Sequence, residues 1–350
     1  MEKILEKPFG GDKVKISTDG KDRTLIFAIE SSCDESACAI VENGRKVIAN
    51  VVATQIPIHQ KYGGVIPEVA AREHLETINA VIEECFEQAN IKPEEITAFA
   101  STVGPGLVGC LLVGMNASKT LSIVHNKPFI GINHLKAHVC ANYIDSDLEP
   151  PFVCLLVSGG HTQIIKIDSY DRQEILGETL DDAIGETYDK VARLFNIPYP
   201  GGPNLDKLAQ KGNPDAFFIP KAKVGEFDFS FSGIKTHMLK LMRNLKEEYG
   251  ENLPIEDVAA SFQKVVCEYL VQKTKHAADT YGYKTLAVAG GVAANSQIRK
   301  LMADLQNEGY KTYAPIMRYC TDNASMVASA AYFLKDVYTD LDTEVFSRAV

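Results

Sequence analysis

The chain has 350 residues, 45% hydrophobic and 23% charged, a soluble globular balance with enough apolar material for two domains. A net charge of −10 excludes a surface that is basic all round, so nucleic acid, which is held by Lys and Arg against phosphate, could meet only a local patch. The eight cysteines stand without a C-x-x-C, which excludes a zinc ribbon or disulfide framework and predicts reduced thiols in a cytoplasmic protein with no membrane span.

Residues 1–24 are charged and Gly-containing and read as an N-terminal extension or a short edge hairpin. Leu25 to Ile29 is a β-rich run, followed by the polar turn Glu30 to Glu35 and a second run, Ala37 to Val41. Glu68 to Ala89 carries apolar residues at helical spacing. Ile96 to Val103 reads as a buried strand, broken by Gly104-Pro105-Gly106 ahead of Leu107 to Val124. The opening pattern then returns: Phe152 to Val157, the turn Ser158-Gly159-Gly160-His161-Thr162, and Gln163 to Ile167. Thr285 to Ala289 is another buried strand, Gly290-Gly291 its turn, and Ala294 to Gln306 a helix; a last apolar helix runs from Met326 to Leu334.

A unit repeated after about a domain length predicts a duplicated α/β fold with parallel sheets covered on both faces. The boundary falls near Pro150-Pro151. Residues 25–150, completed by a C-terminal helix over about 323–350, form one lobe and 151–322 the other, with an insertion over about 200–255. A cleft between two such lobes suits a nucleotide-sized ligand.

Three small-residue turns, Ser31-Ser32-Cys33, Ser158-Gly159-Gly160 and Gly290-Gly291, follow or join strands, where backbone N–H groups can cradle phosphate; ordinary turns read the same way singly. Neither a Walker A nor a G-x-G-x-x-G signature is present, which points away from P-loop and Rossmann folds. His134 and His138 share a face if their segment is helical, which is half of a divalent-metal site or a pair of surface or capping histidines. Leu135-Lys136 between them excludes the H-E-x-x-H of a metallopeptidase. Among many acidic residues that read as solvated faces, Asp34 lies inside the first turn, Asp189 within Gly185 to Lys190, Asp206 just after Pro200 to Asn204, and Asp322, after a loop and just ahead of the last helix, reads by itself as an N-cap. Eight basic residues between Lys207 and Lys246 alternate with Phe217, Phe218, Phe227, Phe229 and Phe231. That pattern suits either a nucleic-acid track with stacking rings or a solvated helix face beside a small core.

Ile29-Glu30-Ser31-Ser32-Cys33-Asp34-Glu35, Gly63 to Glu68, Gly104-Pro105-Gly106-Leu107, His134-Leu135-Lys136-Ala137-His138 and Leu156 to Thr162 occur in this order. After them come Tyr199 to Pro203, Phe229 to Thr236, Ala289 to Asn295 and Cys320-Thr321-Asp322-Asn323. Together, over about residues 25 to 335, they resemble the TsaD family, the tRNA threonylcarbamoyladenosine transferases once labelled glycoproteases. The resemblance implies a duplicated actin-like, Hsp70-like and sugar-kinase-like fold with two lobes around a nucleotide cleft. It also implies transfer of a threonylcarbamoyl group from threonylcarbamoyl-adenylate to N6 of the adenosine beside the anticodon, in tRNAs reading codons that begin with A. By the same resemblance His134, His138 and Asp322 hold a metal, iron(II) ahead of zinc. Leu156, Val157, Ser158, Gly159, Gly160, Asp189, Gly202, Asp206 and Asn295 hold the adenylate, and TsaB (as a heterodimer) and the ATPase TsaE are partners. Asp34 is the candidate general base. The chain departs from the family pattern at Ser36, where threonine is usual, and at Lys136-Ala137, where many bacterial members have Glu-Gly. A catalytically silent scaffold like TsaB, or a small-molecule kinase of the same superfamily, are the competing readings; the first is opposed by the complete His134, His138, Asp322 set.

Overall fold

The computed structural model describes residues 2–348 except 12, 18, 19, 21 and 335. The chain divides into two compact units, Met1–Glu149 with Asp322–Val350, and Pro150–Thr321.

In the first unit, β1 (Glu2–Leu5) and β2 (Val14–Ser17) pair antiparallel as a separate two-stranded sheet. The expected hairpin is therefore present, and among the described residues it joins no larger sheet edge. The unit's main sheet uses β3 (Leu25–Glu30), β4 (Glu35–Glu42), β5 (Lys46–Thr54), β6 (Ala98–Gly104) and β7 (Phe129–Asn133) in the order β5-β4-β3-β6-β7. The β5-β4 and β4-β3 pairs are antiparallel, and β3-β6 and β6-β7 are parallel. Strands β3 and β6 are buried along their whole length because helices cover both faces, which is why they read as unbroken apolar runs. The helices of this stretch are α1 (Ile56–His59), α2 (Pro67–Ala89), α3 (Val108–His125) and α4 (His134–Cys140). Pro67 opens α2, where a missing N–H costs nothing, and Asn90 and Asn126 end α2 and α3 in the left-handed conformation. Phe27 anchors this core, stacked 4.9 Å from Phe86 and edge-on to Phe99 at 5.7 Å.

The second unit repeats the plan with β8 (Phe152–Val157), β9 (Thr162–Ser169), β10 (Arg172–Glu178), β11 (Thr285–Ala289) and β12 (Lys311–Tyr313), in the order β10-β9-β8-β11-β12. Its pairs again run antiparallel, antiparallel, parallel, parallel. Duplication is thus visible strand for strand. Between β10 and β11 come α5 (Ile184–Leu194), α6 (Gly201–Ala209), α7 (Ser232–Tyr249) and α8 (Ile255–Tyr281); α9 (Ser296–Asp304) follows β11. The helix expected from Ala294 starts two residues later because Asn295 caps it, its Oδ1 accepting from the N–H groups of Gln297 and Ile298.

The chain returns to the first unit through α10 (Ala324–Phe333), buried on every face. The C-terminal helix expected over about 323–350 stops here, and the described residues after Phe333 are not helical. Pairing wins over continuation: Gly131 and Tyr338 exchange backbone hydrogen bonds along β7, and Leu341, Val345 and Phe346 pack on Val103, Met115 and Phe129.

Candidate functional site

In the first unit, three parallel strands end together. The fully buried carboxylate of Glu30 lies at the end of β3, Thr102 near the end of β6, and Asn133 closes β7. The Asn133 side chain accepts hydrogen bonds from the backbone N–H groups of Leu135 (2.9 Å) and Lys136 (3.2 Å), so α4 starts immediately at His134. One helical turn then brings His138 beside it, with the Nε2 atoms 3.1 Å apart. Asp322 Oδ1 completes the group, 3.2 Å from His138 Nε2 and 3.6 Å from His134 Nε2. Asp322 does not cap α10: its neighbour Asn323 does, accepting from the Met326 N–H, which releases Asp322 for the histidines.

These spacings fit a metal. Ligand atoms held about 2.1 Å from a common ion stand about 3.0 Å apart when cis in an octahedron and about 3.4 Å apart in a tetrahedron. The observed 3.1, 3.2 and 3.6 Å lie close to both. Two imidazoles and one carboxylate form a donor set for a borderline divalent cation. Burial works against charge here, but opposite partners dominate: Glu30 and Asp322 bring the His134 imidazolium up to about 9, and His134 and His138 hold Asp322 down to about 2.

Behind His134 stands a residue that the sequence left inside a motif without a role. Glu30 Oε2 is 3.2 Å from His134 Nδ1 and also accepts from the Thr102 hydroxyl, while its Oε1 accepts from the Ser32 N–H at 2.6 Å. Burial opposes ionisation of Glu30, but His134 and Ser32 more than compensate and keep it below the usual carboxylate range.

The turn carrying Asp34 is tied down from α2. His74 donates from Nε2 to the Cys33 carbonyl at 3.0 Å and accepts at Nδ1 from the Ser36 hydroxyl at 2.6 Å. The hydroxyl that Ser36 shares with the usual threonine therefore has a structural partner, which no spacing in the sequence could signal. Asp34 is buried, and its neighbour Glu35 is pushed up to about 10 by burial and by the charges of Asp322 and Asp34. Desolvation also lifts the thiols of Cys33, Cys38, Cys85, Cys110, Cys154, Cys267 and Cys320. None of these is an activated nucleophile.

In the second unit β8 and β11 run parallel, with Ala289 opposite Leu156, so their turns emerge side by side. Leu156 and Val157 are wholly buried, backbone included, between β9 and β11, so of Leu156 to Gly160 only Ser158, Gly159 and Gly160 reach the surface. Gly290, at φ +89°, packs so closely that a Cβ would collide with the Val157 carbonyl oxygen. Gly290→Ala is therefore expected to cost about 1–3 kcal/mol, read as a lower Tm in thermal melts. Gly159, Gly160 and Gly291 differ: a Cβ at each would meet no protein atom within 4 Å and φ is not left-handed, so neither packing nor backbone demands glycine there. Three such glycines at adjacent strand ends leave a backbone-lined space into which an anion can come close.

Asp189 Oδ1 accepts from the N–H groups of Gly201 (2.9 Å) and Gly202 (3.3 Å), holding the start of α6. On α6, Asp206 accepts from the Ser296 hydroxyl (2.6 Å) and from Gln263 Nε2 (2.7 Å). The Gln263 Oε1 in turn accepts from Asn295 Nδ2 at 2.8 Å. Gln263, buried in α8 and missed in the sequence, thus cross-links Asp206 and Asn295; a lone Gln in an apolar helix face gave no signal.

The stacking rings of the basic region are mostly core. Phe229 and Phe231 are wholly buried against Tyr269, Phe217 and Phe227 pack on the same core, and only Phe218 is largely exposed. Lys221 pairs with Glu268 at 3.1 Å. The small-core reading therefore accounts for these aromatics.

The family profile described as "TsaD: tRNA N6-adenosine threonylcarbamoyltransferase" matches residues 46–329. The chain belongs to the TsaD family. It is 51% identical over 317 residues to the tRNA N6-adenosine threonylcarbamoyltransferase of Nostoc punctiforme, covering 88% of this chain and 90% of that one. It is equally identical over 316 residues to the enzyme of the same name from Clostridium perfringens, covering 89% and 93%. Among solved structures, HypF of T. kodakarensis superposes with a TM-score of 0.61 at 14% identity, covering 95% of this chain and 49% of HypF. At that identity the likeness concerns the fold, the duplicated actin-like α/β architecture of the family. Among the described residues, no helix is long and apolar enough to cross a membrane.

Proposed function

We propose that this chain transfers a threonylcarbamoyl group from threonylcarbamoyl-adenylate to N6 of the adenosine beside the anticodon of tRNA, releasing AMP, in the cytoplasm and with a TsaB-like and a TsaE-like partner. The carrying observation is the convergence of His134, His138 and Asp322, at 3.1 to 3.6 Å, in a chain about half identical to named transferases. An exocyclic adenine amine is a poor nucleophile, so the carbamoyl carbonyl needs activation and AMP needs to leave from a fixed position. When bound to His134, His138 and Asp322, an iron(II) or zinc ion supplies Lewis acidity toward the oxygens on which negative charge develops.

The chain's own groups do the rest. Backbone N–H groups of Gly159 and Gly160 and of the Gly290-Gly291 turn hold the phosphate, with Leu156, Val157 and Ser158 supporting that strand end, and Gly202, Asp206 and Asn295 hold the nucleoside, with Asp189 fixing the start of α6. The Asp34 carboxylate takes the proton lost from N6 as the new C–N bond forms and the bond from the carbamoyl carbon to the AMP phosphate oxygen breaks.

The test is a transfer assay with unmodified tRNA, threonylcarbamoyl-adenylate generated in situ, and the protein with and without its partners. Modification is expected for the wild type, with loss in a His134→Ala/His138→Ala double variant and a reduction of about 10²-fold in Asp34→Ala. No transfer with partners present would overturn the reading and turn attention to ATP turnover. Full transfer by Asp34→Ala would remove only the base assignment.

A further inference from the structure

Glu30 is surrounded by donors. Ser32 N–H reaches Oε1 at 2.6 Å, and the Thr102 hydroxyl and His134 Nδ1 both reach Oε2, the latter at 3.2 Å. Of ordinary side chains at this place, only an ionised carboxylate accepts on both oxygens; a glutamine would turn its NH₂ toward one of these donors. The side chain is wholly buried, and β3 and β6, paired in parallel, hold Glu30 and Thr102 in fixed register. Because Glu30 can only accept, the proton between it and the ring sits on His134 Nδ1. That fixes the ring orientation and directs the Nε2 lone pair of the neutral imidazole toward His138 and Asp322.

His138 has no such support. Its Nδ1 is buried with no hydrogen-bond partner among the described residues, so only packing and the contacts of its Nε2 with His134 and Asp322 orient the ring. The two histidines are thus unequal: His134 Nδ1 faces the Glu30 carboxylate at 3.2 Å and the Ser32 hydroxyl at 3.3 Å, and His138 Nδ1 has no such partner among the described residues.

We propose that Glu30 is a positioning residue of the metal centre, an outer carboxylate that fixes the tautomer and orientation of His134 and raises its basicity as a ligand. The inference rests on the reading of His134, His138 and Asp322 as metal ligands and adds a member that touches neither ion nor substrate. Outer partners of this kind are worth 10- to 100-fold in metal affinity.

The experiment measures zinc affinity of the full-length protein against a competing chelator, for wild type and Glu30→Gln. A loss of about 10- to 100-fold is expected in the variant. A second readout is independent of transfer activity: ¹⁵N signals of the histidines in zinc-loaded protein, where wild-type His134 should show a protonated Nδ1 in a strong hydrogen bond, and Glu30→Gln should shift or broaden that resonance alone. Wild-type affinity together with an unmoved His134 signal in Glu30→Gln would overturn the proposal. If Glu30→Gln does not fold, Glu30→Asp, which keeps the charge but withdraws it by one methylene, carries the same test with a smaller expected loss. A wild type that binds no zinc or iron would overturn the metal reading and this inference with it; a wild type that binds metal but transfers nothing would leave Glu30's role standing while the transferase reading falls.

Discussion

His138→Ala is expected to abolish stable metal binding and to lower transfer by about 10³-fold or more. The reason is geometric. With Nε2 of His138 gone, His134 Nε2 and Asp322 Oδ1 remain at 3.6 Å, a two-point grip that lacks the closest of the three ligand pairs. Lewis-acid stabilisation is worth several kcal/mol, and each 1.36 kcal/mol is tenfold in rate, so about 4 kcal/mol lost corresponds to about three orders of magnitude. The substitution also empties a wholly packed position: His138 is about 1% exposed, so some loss of stability accompanies it. Metal content per chain and single-turnover transfer with pre-formed threonylcarbamoyl-adenylate separate the effects. A variant that retains one metal per chain and near-normal transfer would remove His138 from the site. His134→Ala carries the same expectation for metal, but it also leaves Glu30 buried without its imidazole partner, so its fall in Tm should be the larger of the two.

The second large effect is a dependence of metal affinity on pH. In the metal-free protein, burial disfavours the charged His134 ring, but Glu30 and Asp322 raise it to about 9, so at pH 7 the ring carries a proton that a metal must displace from Nε2. Apparent affinity should therefore rise about tenfold per pH unit up to about 9, or about 10²-fold between pH 7 and 9, with close to one proton released per ion in calorimetry at pH 7. Asp322, held at about 2, is ionised throughout this range and adds nothing to the slope.

The same shift fixes the sign for stability. A histidine raised above its ordinary value stabilises the metal-free fold fully below about 6.5 and loses that contribution as pH rises through about 9. Metal-free Tm should fall across this window while the stabilisation by added zinc grows. A flat zinc affinity between pH 6.5 and 8.5 would mean that His134 is not the proton-bearing ligand.

Much of this molecule is written locally. The strand-turn-strand grammar of Leu25 to Val41 and of Phe152 to Ile167 predicts the duplication because burial on both faces demands unbroken apolar runs and turns demand small polar residues. The i, i+4 spacing of His134 and His138 is legible for the same reason: once Asn133 caps the helix, one turn decides which face both rings occupy. Contacts between distant segments are not local. Asp322 reads as a cap because sequence alone cannot tell which of Asp322 and Asn323 turns toward α10; packing α10 against α4 makes the choice. The C-terminal residues do not extend the last helix because the open edge of β7 offers Tyr338 backbone partners that only the folded sheet creates.

Glu30 and Gln263 are the clearest cases. Glu30 is one acidic residue at the end of an apolar strand, and what makes it an acceptor of three donors is the parallel register that places Thr102 and His134 beside it. Gln263 is one polar residue in a 27-residue helix, and only the packing of α8 against α6 and α9 sets its amide between Asp206 and Asn295. The sequence by itself determined the repeated α/β plan and the short-range half of the candidate metal site through periodicity and local capping, and the family through the resemblance of its ordered motifs. The tertiary structure decided that Asn323 rather than Asp322 caps the last helix, that Glu30 stands behind His134, and which links lie behind the second unit's turns, because a buried polar group takes its role from whichever partner the fold brings within hydrogen-bond distance.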